Sequence, residues 1–266
     1  MEFKYITLAI NDSIATLTLD RPDIHNAFDD VMIAELISAL QTVDCNKDVR
    51  LMILRGNGKS FSACADVNWM QKVVNYNYEE NLRDAQQLAT LMHLLYHLHK
   101  PTIAVVHGVA FGGGIGLVSC CDLVIASEKA SFCFSETRLG IIPAVISPYI
   151  INAIGERAAR RYFLTAERFT AEEAYRLGLA HVFCSHDELE KNVDHFIAQL
   201  LQNGPTAVAA AKQLIVATSR GRLDKAMIDD TAHRIAVMRT SAEGQEGLRA
   251  FLEKRAPTWQ KMKVAK

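Results

Sequence analysis

The chain has 266 residues, half of them hydrophobic, and its 29 lysines and arginines nearly balance its 30 aspartates and glutamates. This balance argues against a nucleic-acid-binding protein, which normally carries a basic face. No apolar run reaches the roughly 18 residues that a membrane helix needs. We therefore expect neither a nucleic acid nor a membrane as a partner. The length fits one large domain, or a domain with an appendage.

Cysteine and histidine usage indicates the compartment and argues against a metal site. The six cysteines lie in apolar stretches without a CxxC spacing, which is typical of buried thiols in a reducing compartment. Residues 1–13 show no basic segment followed by an apolar run, so we expect no secretory signal and a cytoplasmic protein. His93 and His97 share a helix face, but no third ligand stands at a recognisable spacing, and we expect no bound metal.

The N-terminal part of the chain is predicted to mix strands and helices. Alternating apolar residues at 4–10 and 14–19 flank an Asn-Asp pair and predict a β-hairpin. Asp29 is placed to cap a helix, and Asp66 is placed to cap another that begins at Val67. Further predicted elements are a buried strand at 51–54 and a long helix at 79–98.

The segment 101–140 carries the strongest chemical signal. A predicted strand, Thr102–Val106, leads into glycines 112–114 and then into an apolar helical run at 115–121. Consecutive glycines let another group approach the backbone closely, and the N–H groups of a helix N-terminus favour negative charge. Glu136 follows in an apolar setting. Oxyanion donors beside one carboxyl group are suited to proton transfer next to a carbonyl.

The glycine run does not fit the common nucleotide-binding patterns. Position 117 is leucine and no GK[ST] follows, so both a dinucleotide fingerprint and a phosphate-binding loop are weak interpretations. Short strands are predicted at 123–126 and 132–134.

The last part of the chain is predicted to be mostly helical. The predicted helices cover 147–164, 170–177, 187–203, 205–219, 223–240 and 243–254. A helical tail of this kind cannot bury the apolar face of every helix by itself, which favours packing against another subunit.

Several segments together resemble the crotonase superfamily, the enoyl-CoA hydratase/isomerase family. They are LTLDRPDIHNAF (17–28), LRGNGKSFSACAD (54–66), VHGVAFGGGIGL (106–117), SETRLGIIP (135–143), the stretch 155–183, and FLEKRAPTW (251–259). The resemblance spans nearly the whole chain in order. It implies an α/β fold in which a spiral of ββα turns forms two roughly perpendicular sheets, followed by a helical C-terminal region. It also implies a core at 1–200 holding an acyl-CoA site, a trimerisation region at 201–266, and a homotrimer or a dimer of trimers.

The resemblance also assigns roles to individual residues. The family stabilises the enolate of an acyl-CoA thioester, with oxyanion-hole N–H groups that fall on Ala65 and Gly113 and a catalytic carboxyl that falls on Glu136. The further candidates for substrate binding are Ala63, Asp66, Gly112 and Gly116. No metal or redox cofactor is implied, because CoA arrives as part of the substrate. Arg21 and Pro22 either border a simple turn or lie beside the CoA nucleotide. Lys254, Lys261 and Lys263 either meet CoA phosphates or form a solvated helix end.

Two departures from the family pattern affect these expectations. Cys64 stands where the family has glycine, so either the turn tolerates a side chain, or its backbone differs, or a thiol lies near the thioester. Gly116 stands where two-glutamate hydratases carry their first glutamate, which leaves Glu136 alone.

These departures leave three functions open. The resemblance is closest to bacterial hydratases for branched substrates such as 3-methylglutaconyl-CoA, where glycine at 116 would make room for a bulky acyl group. The expected activity is therefore hydration of a branched or functionalised 2-enoyl-CoA. A Δ3,Δ2-enoyl-CoA isomerase that uses Glu136 alone is one alternative. A catalytically weak acyl-CoA-binding member is the other.

Overall fold

The computed structural model describes residues 3–219 and 221–261. The chain forms two compact units. One comprises the chain up to Leu98 together with Thr102–Val193, and the other comprises His99–Pro101 and the chain from Asp194 onward. Lys263 and the side chain of Lys261, which are candidates for CoA phosphates, lie outside the described residues.

The first unit contains a six-stranded sheet and a four-stranded sheet. The six-stranded sheet has the order β1 (Ile6–Asn11), β2 (Ile14–Leu19), β3 (Leu51–Gly56), β5 (Thr102–Val106), β7 (Leu123–Ser127) and β10 (Val182–Cys184). The four-stranded sheet has the order β4 (Ser60–Ala63), β6 (Val109–Phe111), β8 (Ser131–Cys133) and β9 (Phe169–Thr170). Strands β4, β6 and β8 are parallel neighbours, and this arrangement positions the candidate site.

Local sequence explains the edge and the centre of the larger sheet. The predicted hairpin is confirmed: β1 and β2 are antiparallel, and Asp12 and Ser13 between them have φ values of 47° and 68°. Residues of this conformation suit the tight turns that join hairpin strands. Strand β5 is buried along its whole length, as expected for a parallel strand covered on both faces.

Seven α-helices lie in the described residues up to 201. They are α1 (Asp30–Cys45), α2 (Val67–Val73), α3 (Tyr78–Tyr96), α4 (Gly113–Cys120), α5 (Ser147–Thr165), α6 (Ala171–Arg176) and α7 (Leu189–Leu201). The two predicted caps are confirmed, because the side chains of Asp29 and Asp66 accept hydrogen bonds from the first turns of α1 and α2. Helices α3 and α5 each contact α4, and the core includes Leu95 and Ile150.

The second unit is helical in its described part. Its helices are α8 (Pro205–Thr218), α9 (Lys225–Thr240) and α10 (Ala242–Leu252), followed by a 3-10 helix at Thr258–Lys261. The Glu243 carboxylate accepts hydrogen bonds from the N–H groups of Thr206 and Ala207 at 3.0 and 2.8 Å, so it ties α10 to the start of α8. The predicted α/β class with two sheets and a helical C-terminal region is confirmed. No described helix has the length and apolarity to cross a bilayer.

Candidate active site

The candidate residues gather at one edge of the smaller sheet. Ala63 at the end of β4 pairs with Phe111 at the end of β6. Ala65 and Gly113 each stand two positions beyond this pair, and Glu136 follows the end of the next parallel strand, β8. The carboxyl ends of parallel strands lie on the same edge, where α/β proteins commonly bind ligands.

The backbone around Ala65 aims its N–H group away from the neighbouring segment. The Phe28 N–H donates to the Cys64 carbonyl at 2.9 Å, and the Asp66 N–H donates to the Phe28 carbonyl at 2.7 Å. The C=O and N–H of one trans peptide point in opposite directions, and the described residues contain no cis peptide. The Ala65 N–H shares its peptide with the Cys64 carbonyl, so it points away from Phe28.

The same geometry directs the Gly113 N–H out of a helix. The Gly112 carbonyl accepts a hydrogen bond from the Gly116 N–H at 3.2 Å within α4. The Gly113 N–H, on the opposite side of that peptide, therefore projects from the N-terminus of α4. The first N–H groups of a helix have no partner inside it and carry partial positive charge. This amide is suited to an oxygen that becomes negative.

Close packing explains the glycines at this turn. Gly112 has φ 51° and ψ −121°, which side-chain-bearing residues rarely adopt. A Cβ on Gly112 would lie 2.9 Å from Cys64 Sγ and 3.4 Å from Glu136 Oε1. A Cβ on Gly113 would lie 2.7 Å from Cε2 of Phe28. The strand-to-helix turn is thus held tightly between the Cys64 turn, the Phe28 ring and the Glu136 carboxyl group.

Glu136 supplies a carboxyl group in a partly desolvated position. It begins a 3-10 helix at Glu136–Leu139, and its Oε2 is buried without a hydrogen-bond partner among the described residues. Burial raises the pKa of Glu136 above its ordinary value. A carboxyl group whose pKa is raised is more easily protonated, so it can both take up and release a proton during a reaction. Glu136 therefore fits a proton carrier beside the two amides.

Cys64 lies within this site and has an unusual backbone. Its φ is 70°, in the left-handed region that favours glycine. The Ser135 hydroxyl lies 3.9 Å from its Sγ atom. The turn thus tolerates a side chain by holding Cys64 in the conformation that a glycine would adopt, and this places a thiol between Gly112 and Ser135.

The whole chain was compared with known proteins. Residues 9–262 match the family described as enoyl-CoA hydratase/isomerase. The chain belongs to this family. The crystal structure of an enoyl-CoA hydratase from Shewanella pealeana is 49% identical, has a TM-score of 0.94 and covers 97% of each chain.

Both hydratases and isomerases occur among its relatives. The crotonyl-CoA hydratase of Syntrophomonas wolfei is 32% identical over 257 residues, which cover 96% of this chain and 97% of the relative. The mitochondrial Δ(3,5)-Δ(2,4)-dienoyl-CoA isomerase of Dictyostelium discoideum is 30% identical over 272 residues, covering 96% and 91%. The predicted family is confirmed, and the protein is an enzyme of the enoyl-CoA hydratase/isomerase type.

Two of the predicted substrate-binding residues near the turn have partners within the protein. The Ala63 N–H donates to the His25 carbonyl at 2.9 Å. Asp66 is 7% exposed, and its carboxylate accepts from the Asn68 N–H at 2.7 Å and from Arg21 at 2.8 Å. Burial alone would raise the pKa of Asp66, but these donors hold it below its ordinary value. The structure shows Asp66 as a helix cap and ion-pair partner.

Gly116 stands where the resemblance places the first glutamate of two-glutamate hydratases. It is buried in α4, and a Cβ there would collide with Cγ2 of Ile146 and lie 3.0 Å from Cε of Met92. Ile146 is 2% exposed and Met92 is fully buried. The space beside Gly116 is therefore filled by the protein's own apolar side chains. It does not form the room for an acyl group that the glycine suggested.

Neither Ile146 nor Arg21 is identified as a functional residue by the sequence alone. Ile146 lies in an apolar run with no chemical signature, and Arg21 offers two interpretations as a turn residue or a CoA contact. In the structure the Arg21 guanidinium is buried against Asp66 and Asp29. A signal for Arg21 exists in its position within the family-like segment 17–28, but one of its two carboxylate partners, Asp66, is distant in sequence.

Proposed function

We propose that the protein is an enoyl-CoA hydratase that adds water reversibly to a 2-enoyl-CoA thioester in the cytoplasm. The observation that carries this proposal is the meeting of two outward-pointing amides and one buried carboxyl group at a single sheet edge. The Ala65 and Gly113 N–H groups hold the thioester oxygen, on which negative charge develops in the enolate. The reaction needs no metal or redox cofactor, and CoA is part of the substrate.

Glu136 carries the proton through the reaction. Its carboxylate removes a proton from water while the water oxygen bonds to the β-carbon, and the electron pair of the double bond moves into the enolate. The protonated Glu136 then gives the same proton to the α-carbon, and the thioester carbonyl reforms. Because one group serves both steps, the hydrogen and the hydroxyl add to the same face. The raised pKa of Glu136 suits a group that must act as base and then as acid.

The acyl group of the substrate is proposed to be branched or functionalised, as in methylglutaconyl-CoA. The support is the resemblance of residues 144–150 and 155–169 to hydratases of that type. Since Ile146 and Met92 fill the space beside Gly116, the residues that contact the acyl group have to lie elsewhere in the site. Leu139, Ile141 and Ile142 follow Glu136 directly and are 53%, 56% and 71% exposed, so they offer apolar surface beside the carboxyl group.

An enoyl-CoA isomerase is the second candidate, and Gly116 is the observation that favours it. Hydration is commonly assisted by a second carboxylate that holds the water, and here that position is apolar. Moving a double bond from Δ3 to Δ2 needs only one carboxylate, which takes a proton from the α-carbon and returns it to the γ-carbon. Hydration forms the enolate of a 3-hydroxyacyl thioester and isomerisation forms a dienolate, and the same pair of amides can hold the negatively charged oxygen of either.

The functions are separated by the ultraviolet band of the conjugated enoyl thioester. Loss of the band from straight and branched 2-enoyl-CoAs identifies hydration, and its appearance from a 3-enoyl-CoA identifies isomerisation. Binding of acyl-CoA without either change identifies a catalytically weak member and contradicts the proposal.

Replacement of Glu136 tests its role directly. Glu136→Gln is expected to keep acyl-CoA binding while turnover falls by roughly 10²–10⁴, the usual contribution of a general acid–base group. Glu156→Gln is the matched control, since Glu156 is an exposed partner of Arg160 on α5. Equal turnover of the Glu136→Gln variant and the wild type would show that the proton passes through another group.

We further propose that the protein assembles as a homotrimer or a dimer of trimers. The described part of the second unit exposes many large apolar side chains, namely Ile215, Ile228, Ile235, Leu248, Phe251 and Leu252. A helical unit with this much uncovered apolar surface is suited to a subunit interface. Light scattering at micromolar concentration tests this, and a clean monomer would contradict it.

A further inference from the structure

Arg21 is a buried cation that joins two carboxylates. Its side chain is 11% exposed, and its guanidinium lies 3.0 Å from Asp29 Oδ2 and 2.8 Å from Asp66 Oδ2. The guanidinium carbon also lies 4.0 Å from the ring centroid of Tyr5. A planar guanidinium can bind several acceptors at fixed angles, which a lysine ammonium cannot reproduce. These contacts direct Arg21 into the protein.

Arg21 also closes the loop that follows it. Its N–H donates to Asn26 Oδ1 at 2.8 Å, its carbonyl accepts from the Asn26 N–H at 2.9 Å, and its Nη1 donates to the Ala27 carbonyl at 2.8 Å. His25 and Asn26 have φ values of 56° and 54°, in the left-handed region. The hydrogen bonds from Arg21 hold this loop in a conformation that side-chain-bearing residues seldom adopt.

The closed loop is attached to the strand that ends in the oxyanion amide. The Asn26 side-chain amide donates to the Ser60 and Phe61 carbonyls at 2.9 and 3.1 Å, and the Ser62 hydroxyl donates to the Asn26 carbonyl at 2.8 Å. One step further, Phe28 bridges to Ala65. The loop therefore runs beside β4 and beyond it to the site.

The contacts of Arg21 lie on both sides of this bridge. Ala27, whose carbonyl it binds, precedes Phe28, and Asp66, whose carboxylate it binds, follows Ala65. The Phe28–Ala65 bridge is the feature that aims the Ala65 N–H, because it fixes the Cys64 carbonyl on the opposite side of the same peptide.

We propose that Arg21 is a positioning residue of the oxyanion hole, which fixes the direction of the Ala65 N–H by holding Ala27 and Asp66. This inference rests on the proposed function, since it assigns that N–H to the thioester oxygen. Arg21 acts through the backbone and does not touch the substrate. Its replacement should therefore weaken stabilisation of the enolate more than binding of acyl-CoA.

Arg21→Lys is the main test. A lysine keeps the positive charge but lacks the planar guanidinium whose separate nitrogens pair with Asp29 and Asp66. We expect kcat to fall by roughly 10–100-fold, less than the 10²–10³ for complete loss of an oxyanion donor, with KM changed by less than about threefold. The second measurement is the carbonyl stretching frequency of a bound, non-reacting acyl-CoA by isotope-edited infrared spectroscopy. The wild-type protein should polarise the carbonyl, and the variant should lose part of that shift.

Arg55→Lys is the matched control. Arg55 forms a bidentate ion pair with Glu190 in the same unit, with nitrogen–oxygen distances of 2.6 and 2.7 Å. Arg55→Lys therefore removes a guanidinium–carboxylate pair that lies away from Arg21 and its partners. It should leave kcat and the carbonyl frequency unchanged. If the Arg21→Lys variant does not fold, the same measurements are made on Arg21→Gln, because the glutamine side-chain amide can still donate a hydrogen bond to one carboxylate.

The infrared measurement separates this inference from the proposed function. A wild-type protein that polarises the carbonyl but turns over no enoyl-CoA contradicts the proposed reaction, and the frequency in the Arg21 variant still decides the inference. A folded Arg21 variant with full kcat, or with reduced stability but an unchanged carbonyl frequency, overturns the inference. A wild-type protein that does not polarise the carbonyl overturns it as well.

Discussion

Ile146 packs its side chain directly against the backbone of Gly116. A Cβ at position 116 would collide with Cγ2 of Ile146 and lie 3.2 Å from its Cβ, and Met92 closes the same space from another side. All three residues are buried. A side chain at 116 would therefore compete with that of Ile146 for one volume, so position 116 can be enlarged only if residue 146 becomes smaller.

Gly116→Ala tests this competition. At an unobstructed position inside a helix, the change would raise the free energy of unfolding by about 1 kcal/mol. At this position the added methyl group overpacks the core, so we expect a net loss of about 1–3 kcal/mol. Urea denaturation of the two proteins gives the difference.

The same substitution in an Ile146→Ala background is the control. Removing the isoleucine opens a cavity and is itself destabilising by about 2–5 kcal/mol. In that background, Gly116→Ala should increase stability, because the methyl group then fills part of the cavity. Additive effects of the two changes would show that Ile146 and Gly116 are not coupled.

The helices and the hairpin were predictable because their signals are local. Asp29 and Asp66 cap the helices that follow them directly, and each cap lies within a few residues of the N–H groups it binds. Strands β4 and β6 have four and three residues, too few to show an alternating pattern, and each exists through pairing with a distant strand. The sheet edge that forms the site was therefore available from the resemblance but not from periodicity.

The chemistry of the site was predictable where it depends on residue type, and not where it depends on packing. Glu136 is identified by a lone carboxylate in an apolar segment, and in the structure the residue is half-buried with its Oε2 atom shielded from solvent. The contact between Ile146 and Gly116 joins residues far apart in the chain, so no local pattern predicts it. Cys64 had a usable signal, since a position where the family has glycine often needs a positive φ.

Cys64→Gly is expected to preserve or increase stability. A side-chain-bearing residue in the left-handed region costs about 1–2 kcal/mol, and glycine removes this cost but loses about 0.5–1 kcal/mol through chain entropy. The net change should be a gain of about 0–1.5 kcal/mol. Cys64→Val should be destabilising instead, because a β-branched side chain fits poorly at a φ of 70°. Denaturation midpoints that place valine above glycine would contradict this account.

Gly113→Ala is expected to disturb the oxyanion hole through Phe28. The new Cβ would lie 2.7 and 2.8 Å from two ring atoms of Phe28, so either the ring or the amide must move. We expect kcat to fall, by up to about 10²–10³ if the donor is lost, with a smaller effect on substrate binding. Adding Phe28→Leu to this variant should recover part of kcat. A Gly113→Ala variant that folds and keeps its full kcat would exclude this role for the Gly113 amide.

The raised pKa of Glu136 predicts how stability and activity depend on pH. Burial disfavours the charged form, so the folded protein holds the proton more tightly than the unfolded chain, whose carboxyl titrates near 4.5. The stabilising contribution of the protonated group is fully present below that value and is lost as the pH rises through the folded pKa. Relative to the wild type, Glu136→Gln should therefore gain stability as the pH rises from about 4.5 through the folded pKa of Glu136. Urea unfolding across this range measures the difference. Hydration by the wild type should increase over the same window, because the base must be ionised. A stability difference between Glu136→Gln and the wild type that does not change with pH would show that Glu136 titrates as an ordinary surface carboxyl group.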